Sequence, residues 1–221
     1  MQVVPLSGRY LPKAGDQVVG TVTDVQSTFW LLDIGAPRWA PLHMTGTPWK
    51  VEVGETERYL RVGDAVVVRV ENLDATGRIG VTMADEGLGK LEGGTLERIS
   101  PARVPRLVGR GGSMISTITH HTNAEVVIGQ NGRVWIGGSA EAIQRVRDVL
   151  RMIEENGPRA GLTDRVERFL IATTPTGAER PGPEEVRIVP HDEGPPEEGG
   201  TEAADEAGPD GAPGSLDDDD S

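Results

Sequence analysis

The chain of 221 residues contains no cysteine, and aromatic residues make up only 4% of it. Without cysteine there is no disulfide framework and no zinc site built on thiolates. With four Trp, two Tyr and two Phe, a single large core is excluded in favour of small modules, because aromatic side chains supply the largest buried areas. No run approaches the ~18 apolar residues that a membrane span requires, and no apolar leader opens the chain. A cytoplasmic protein with no membrane partner is expected. Lysine is scarce as well, with Lys13, Lys50 and Lys90 against 19 arginines, which reads as compositional bias.

Enzymatic constellations are also missing. His120 and His121 are adjacent, so on a helix they diverge by about 100° and cannot hold one metal together. His43 and His191 are isolated, and Ser113 has no evident His–acid partner that would make it a nucleophile. Pairs such as Glu154-Glu155 read as a solvated helix end. The expectation is a non-enzyme with no catalytic residue, no metal and no cofactor.

What the chain has in excess is acid, with a net charge of −13. The excess is confined to residues 175–221, which hold 15 acids against Arg180 and Arg187, while residues 1–174 hold 20 acids and 20 bases. That segment also carries 8 of the 16 prolines and no aromatic residue. It cannot bury enough apolar surface to offset its ordering entropy, so a disordered acidic tail is expected, with Val186-Arg187-Ile188-Val189 as its one sticky run.

The body divides in two. From Gly15 to Met83 the pattern is strand-like: Gln17–Val25, Phe29–Ile34, Arg38–His43, Ala65–Glu71 and Ile79–Met83, with glycines at the corners. Five short strands in about 70 residues predict a small closed barrel of the OB type. If Asp33 faces solvent, parity puts Phe29 and Leu31 outside and Trp30, Leu32 and Ile34 inside. Phe29 then presents its ring on the outer face of the barrel. Trp39, Pro41 and His43 share one face opposite Ala40 and Leu42, and which of the two is buried stays open.

The second half changes period. Ser100-Pro101 opens a short helix in which Ser100 is the expected cap. Gly109-Arg110-Gly111-Gly112 interrupts it, and Ser113 to Ile118 resumes helical spacing. Two strands, Ala124–Ile128 and Arg133–Ile136, flank a Gly129–Gly132 turn whose Asn131-Gly132 pair is a strong hairpin signal, since both residues tolerate positive φ. Trp135 reads as hairpin or core packing. Ser139 caps a long helix with Ile143, Val146, Val149, Leu150 and Ile153 on one stripe, stopped by Gly157-Pro158. A last helix, from Asp164 to about Ala172, takes Thr163 as its cap. A helix–GxxG–helix–hairpin–helix order is the plan of a KH domain, in which a glycine turn lets a nucleic-acid backbone approach closely. The expected contacts are Gly109, Arg110, Gly111, Gly112 and Ser113 at the turn, with Arg103 and Arg106 beside it.

These residues carry a family resemblance. Gly15-Asp16-x-Val18-Val19-Gly20, Leu32-Asp33-Ile34-Gly35 and Val62-Gly63-Asp64 resemble the ribosomal S-one type of RNA-binding barrel, although aromatics common near Thr28 and Pro41 in that family are absent. On the face that parity exposes, this resemblance implies Phe29 as the base-stacking candidate, with Arg38 and Arg69 as phosphate contacts. Pro5 to Asp16, Ile99 to Gly109, Ser113-Met114, Asn131-Gly132-Arg133-Val134-Trp135 and Gly161 to Arg165 resemble the S-one/KH cap of the archaeal RNA exosome, the Rrp-four type. The resemblance covers roughly residues 5–172. It implies an α+β multidomain chain: a lead-in segment (1–14), a five-stranded OB-type barrel (15–88), a KH α/β domain (89–157), a C-terminal helix (158–174) and the disordered tail (175–221).

The function it implies is that of a non-catalytic cap, trimeric on a ring of phosphorolytic 3′–5′ exoribonuclease subunits. The cap binds single-stranded, adenine-rich RNA and feeds it to the ring for degradation and processing. The family's N-terminal ring-docking β-domain is expected to be missing, or the start to be assigned late. The alternatives are a structural assembly subunit and a free-standing regulatory RNA-binding protein.

Overall fold

The computed structural model describes residues 10–74, 76–156 and 161–173. The acidic segment from Pro175 onward, most of the lead-in and the Gly157-Pro158 helix stop lie outside the described residues.

Strands β1 (Gln17–Val25), β2 (Phe29–Asp33), β3 (Ala40–His43), β4 (Ala65–Leu73) and β5 (Ile79–Thr82) form a closed five-stranded barrel. The order β1-β2-β3-β5-β4 returns to β1 through an antiparallel β1–β4 ladder, and β3 meets β5 in parallel. Bulges at Val22/Asp24 and Val70/Asn72 give β1 and β4 the bend that closure demands. Trp30, Leu32, Ile34, Ala40 and Leu42 fill the interior, and Trp30 satisfies its indole N–H on the Leu60 carbonyl at 3.2 Å. At the mouth, burial and then the hydrogen bond to Asp16 push the Tyr10 phenol well above its ordinary pKa.

Two strands escape the sequence pattern. β6 (Gly89–Leu91) adds to the barrel through β4, although it falls inside the segment expected to begin the KH domain. β7 (Thr95–Arg98) opens a second sheet of order β7-β9-β8, where β8 is Glu125–Ile128 and β9 is Arg133–Gly137. Helices α1 (Val104–Val108), α2 (Ser113–Thr122), α3 (Ala140–Asn156) and α4 (Leu162–Ala172) pack on one face of that sheet. Two expected caps differ. No Ser100 side chain caps the first helical turn, and the Ser100 amide donates instead to Glu154 at 3.1 Å. The last helix begins at Leu162, earlier than expected, because Gly161 takes the left-handed cap position and leaves Thr163 inside it. Ser139 does cap α3, accepting from the Ala142 amide at 3.1 Å.

The other face of the second sheet lies on the barrel. Trp135 and Val127 join Val19 and Val67 in a shared apolar cluster, and the Trp135 indole donates to the Gly93 carbonyl at 2.9 Å. The β8–β9 turn spans Gly129 to Gly132, in which Gly132 alone is left-handed, at φ 77°, so Asn131 does not use the positive φ that it tolerates. Asn131 is 6% exposed and reaches into the barrel. Gly129 sits so close to β1 that a Cβ there would lie 2.6 Å from the Val19 nitrogen. Arg133, 3% exposed, donates to the Asp33 backbone carbonyl and pairs with its carboxylate at 2.6 Å. Barrel and α/β half are thereby one body.

Candidate nucleic-acid interface

The predicted residues gather in two places. The first is the glycine turn. Val104 and Leu107 anchor α1 in the core, which leaves Arg103 and Arg106 half-buried along its outer side. Gly109 ends the helix at φ 76° and ψ 173°, a region essentially closed to other residues, and its amide donates to the Pro105 carbonyl. A Cβ at Gly109 would lie 2.7 Å from the Met114 nitrogen, so this glycine is required by packing. Gly111, at φ 57° and ψ 29°, is different, since nothing lies within 4 Å of a Cβ placed there.

Gly112 is the left-handed residue preceding α2, and no side chain caps that helix. The Ser113 amide donates to the Arg110 carbonyl, and no side chain covers the end of the helix, so its positive end stands beside an approachable backbone, an arrangement that suits a phosphate. Arg110 is exposed between the glycines and, among the described residues, has no ion pair or side-chain hydrogen bond; Ser113 is exposed next to it.

The second place is the outer face of β2 and β3. Ala40 and Leu42 are fully buried, which resolves the open parity and turns Trp39, Pro41 and His43 outward. In the antiparallel register Phe29 lies opposite His43 and Leu31 opposite Pro41. Trp39, 61% exposed, sits at the end of this row. Ring and apolar surfaces thus line one exposed two-stranded face suited to stacking on bases. Trp39 and His43 were not among the expected contacts. The signal that finds them is the register: once Phe29 faces out, so does whatever pairs with it.

The expected phosphate contacts of the barrel fare unequally. Arg38 is exposed in the β2–β3 turn with no partner among the described residues. Arg69 is held by Asp85 at 2.5 Å, a pairing that raises the guanidinium pKa and lowers that of the carboxyl, so its charge is already matched. Among the described residues no group of His, Asp and Glu is placed to hold a metal ion, and no helix is long and apolar enough to cross a membrane.

Comparison with known proteins bears on both places. A family model described as the S1 domain of RRP4 matches residues 9–58, and a KH domain model matches residues 94–142. The exosome complex component Rrp4 of Thermoplasma volcanium is 40% identical over 170 residues, spanning 77% of this chain and 72% of that protein. Its namesake from Methanosarcina mazei is 43% identical over 168 residues, 76% of this chain and 65% of that protein. A crystal structure of a chain described as an exosome complex RNA-binding protein superposes with a TM-score of 0.67 at 31% identity, over 75% of this chain and 97% of the other.

Proposed function

The chain belongs to the Rrp4 family of exosome complex components, and from that premise we propose that it is a non-catalytic RNA-binding subunit. It captures single-stranded RNA and delivers it to a phosphorolytic 3′–5′ exoribonuclease ring, on which it sits as one of three copies. The observation that carries this reading is the glycine turn: an open backbone at Gly111, an Arg110 with no partner among the described residues and a helix start without a side-chain cap, all in one exposed loop. A turn that served only to reverse the chain would have no use for an unmatched charge at its apex. The barrel face supplies the complementary chemistry, with rings for bases where the turn offers charge for the backbone.

In use, a strand would be gripped non-specifically by its phosphates and guided by stacking, with a preference for purines such as adenine set by stacking strength. Titration of labelled single-stranded RNA with the full chain tests this. Expected are saturable binding, a linear fall of log affinity with log salt, and a loss of about 1–3 kcal/mol when Trp39 or Phe29 is changed to Ala. Binding indifferent to salt and to both substitutions would exclude RNA capture and favour a purely structural subunit. Affinity capture from the native host tests the assembly: co-purification with exoribonuclease subunits is expected, and their absence would favour a free-standing regulator.

A further inference from the structure

Neither face accounts for the basic seam between the barrel and the α/β half. In the second sheet Arg98 of β7 lies directly opposite Arg133 of β9. Strand alternation places both on the side that carries Leu96, Val127 and Trp135 against the barrel. Arg133 is buried and committed to Asp33. Arg98 stands at the rim of the same face, exposed, with no side-chain hydrogen bond or ion pair among the described residues.

The neighbouring acid on its strand, Glu97, lies on the opposite side of the sheet and is taken by Arg147 at 2.6 Å. The carboxylate whose charge Arg98 feels without pairing to it is Asp33. Burial by itself would raise that carboxyl, but the Gly35 amide, Arg133 and Arg98 together hold it below the ordinary range. One Asp33 oxygen accepts from Arg133 and the other from the Gly35 amide, so the positive charge of Arg98 is left over. From the barrel side the β2–β3 turn borders the seam. A Cβ at Gly35 would lie 3.8 Å from the Arg133 Nε, and the exposed Arg38 and Trp39 follow in the same turn.

We propose that this seam is a third RNA contact, a site for one backbone phosphate of a strand crossing from the barrel face to the α/β half, with Arg98 as its ligand. The proposal rests on the RNA-binding reading above. Arg133 backs the site as fixed charge, while the free fork of Arg98 offers the paired donors that suit a phosphate. Trp39 lies on the adjoining β-turn, so a base can stack beside the phosphate that Arg98 holds. The seam is held in place, because Arg133, which backs it, also ties the α/β half to the barrel at Asp33.

Two RNAs separate the seam from the faces: one of about four nucleotides, which occupies a single face, and one of about 20, which spans both. In the full chain, Arg98→Ala is expected to weaken the long RNA about five- to tenfold at low salt. It should also reduce the salt slope by about 0.7, the value of one phosphate on a single strand, and leave the short RNA unaffected. Arg98→Lys, which keeps charge without the fork, should recover part of the loss. Since Arg98 is exposed, the unfolding midpoint should not move. Unchanged affinity and slope for the long RNA in Arg98→Ala, with wild type binding normally, would overturn the seam alone, as would an equal loss for both RNAs. Failure of the wild type to bind either RNA would overturn the RNA-binding reading and the seam with it.

Discussion

The side-chain amide of Asn131 completes the edge of β1 at Val19. Its Nδ2 donates to the Val19 carbonyl at 2.8 Å, and its Oδ1 accepts from the Val19 amide at a longer 3.4 Å. The same Nδ2 donates to the Ile34 carbonyl at 2.8 Å, so one side chain from the α/β half stands in for a strand that the barrel lacks. Gln130 repeats the device two residues earlier, exchanging hydrogen bonds with Gln17 at 2.9 and 3.0 Å. Asn131→Ala would strand buried donors and acceptors at the seam, at a cost of about 2–3 kcal/mol. Asn131→Asp should be no better, because a carboxylate cannot donate to the two carbonyls. Urea unfolding checks this: the midpoint falls in both variants, while a wild-type midpoint in either would deny the amide its joining role.

The ion pair beside it makes stability depend on pH in a stated direction. The folded-state pKa of Asp33 is depressed, so its contribution is present above the unfolded-state value of about 3.9 and is lost as pH falls through the lower folded value. The stability difference between wild type and Asp33→Asn should therefore be constant above about pH 5 and close as the solution becomes more acidic. Denaturant midpoints at a series of pH values measure it. A gap that stays open at pH 2 would mean that the carboxylate is not the source.

The two loop glycines separate packing from binding. Gly109→Ala forces a Cβ to within 2.7 Å of the Met114 nitrogen in a backbone region that disfavours any side chain. It should cost about 2 kcal/mol or more of stability. Gly111→Asp meets open space, in a left-handed conformation that Asp tolerates. It should leave the thermal midpoint nearly unchanged while lowering RNA affinity about tenfold at low salt, because a negative charge now stands where a phosphate must come. If Gly111→Asp binds RNA as wild type does, the turn is structural only.

The course of the chain explains why some of this was legible in sequence and some was not. Alternation in Phe29-Trp30-Leu31-Leu32-Asp33 reports burial directly, and Trp30 is fully buried as its parity requires. For Trp39 the sequence allows either face, and only pairing with β2 decides. β6 and β7 are three and four residues long and owe their conformation to the strands they join, so their own propensities are too weak to announce them. Asn131-Gly132 marks a turn correctly. What the pair does not encode is that Asn131 is buried by a strand more than a hundred residues earlier. Trp135 reads as packing, yet its partners Val19 and Val67 belong to the other domain.

The acidic segment gives the last test. Helix α4 ends at Ala172, and its final turn is tied down from within the described body: Arg145 donates to the Leu170 carbonyl and the His121 carbonyl, both at 2.8 Å, and to the Thr173 hydroxyl at 3.3 Å. Truncation after Thr174 therefore removes none of these partners of Arg145, while it takes away 15 acids and only two arginines. Arg98 and Arg110, which have no hydrogen-bonded partner among the described residues, remain, and a tethered acidic run would compete for them at high local concentration. The truncated chain should bind RNA more tightly than the full chain at about 50 mM salt, and the difference should shrink as screening shortens the reach of the charges. Adding the 175–221 peptide in trans should restore part of the inhibition. Equal affinities for full and truncated chains at low salt would leave the segment a solubilising appendage with no say in RNA binding.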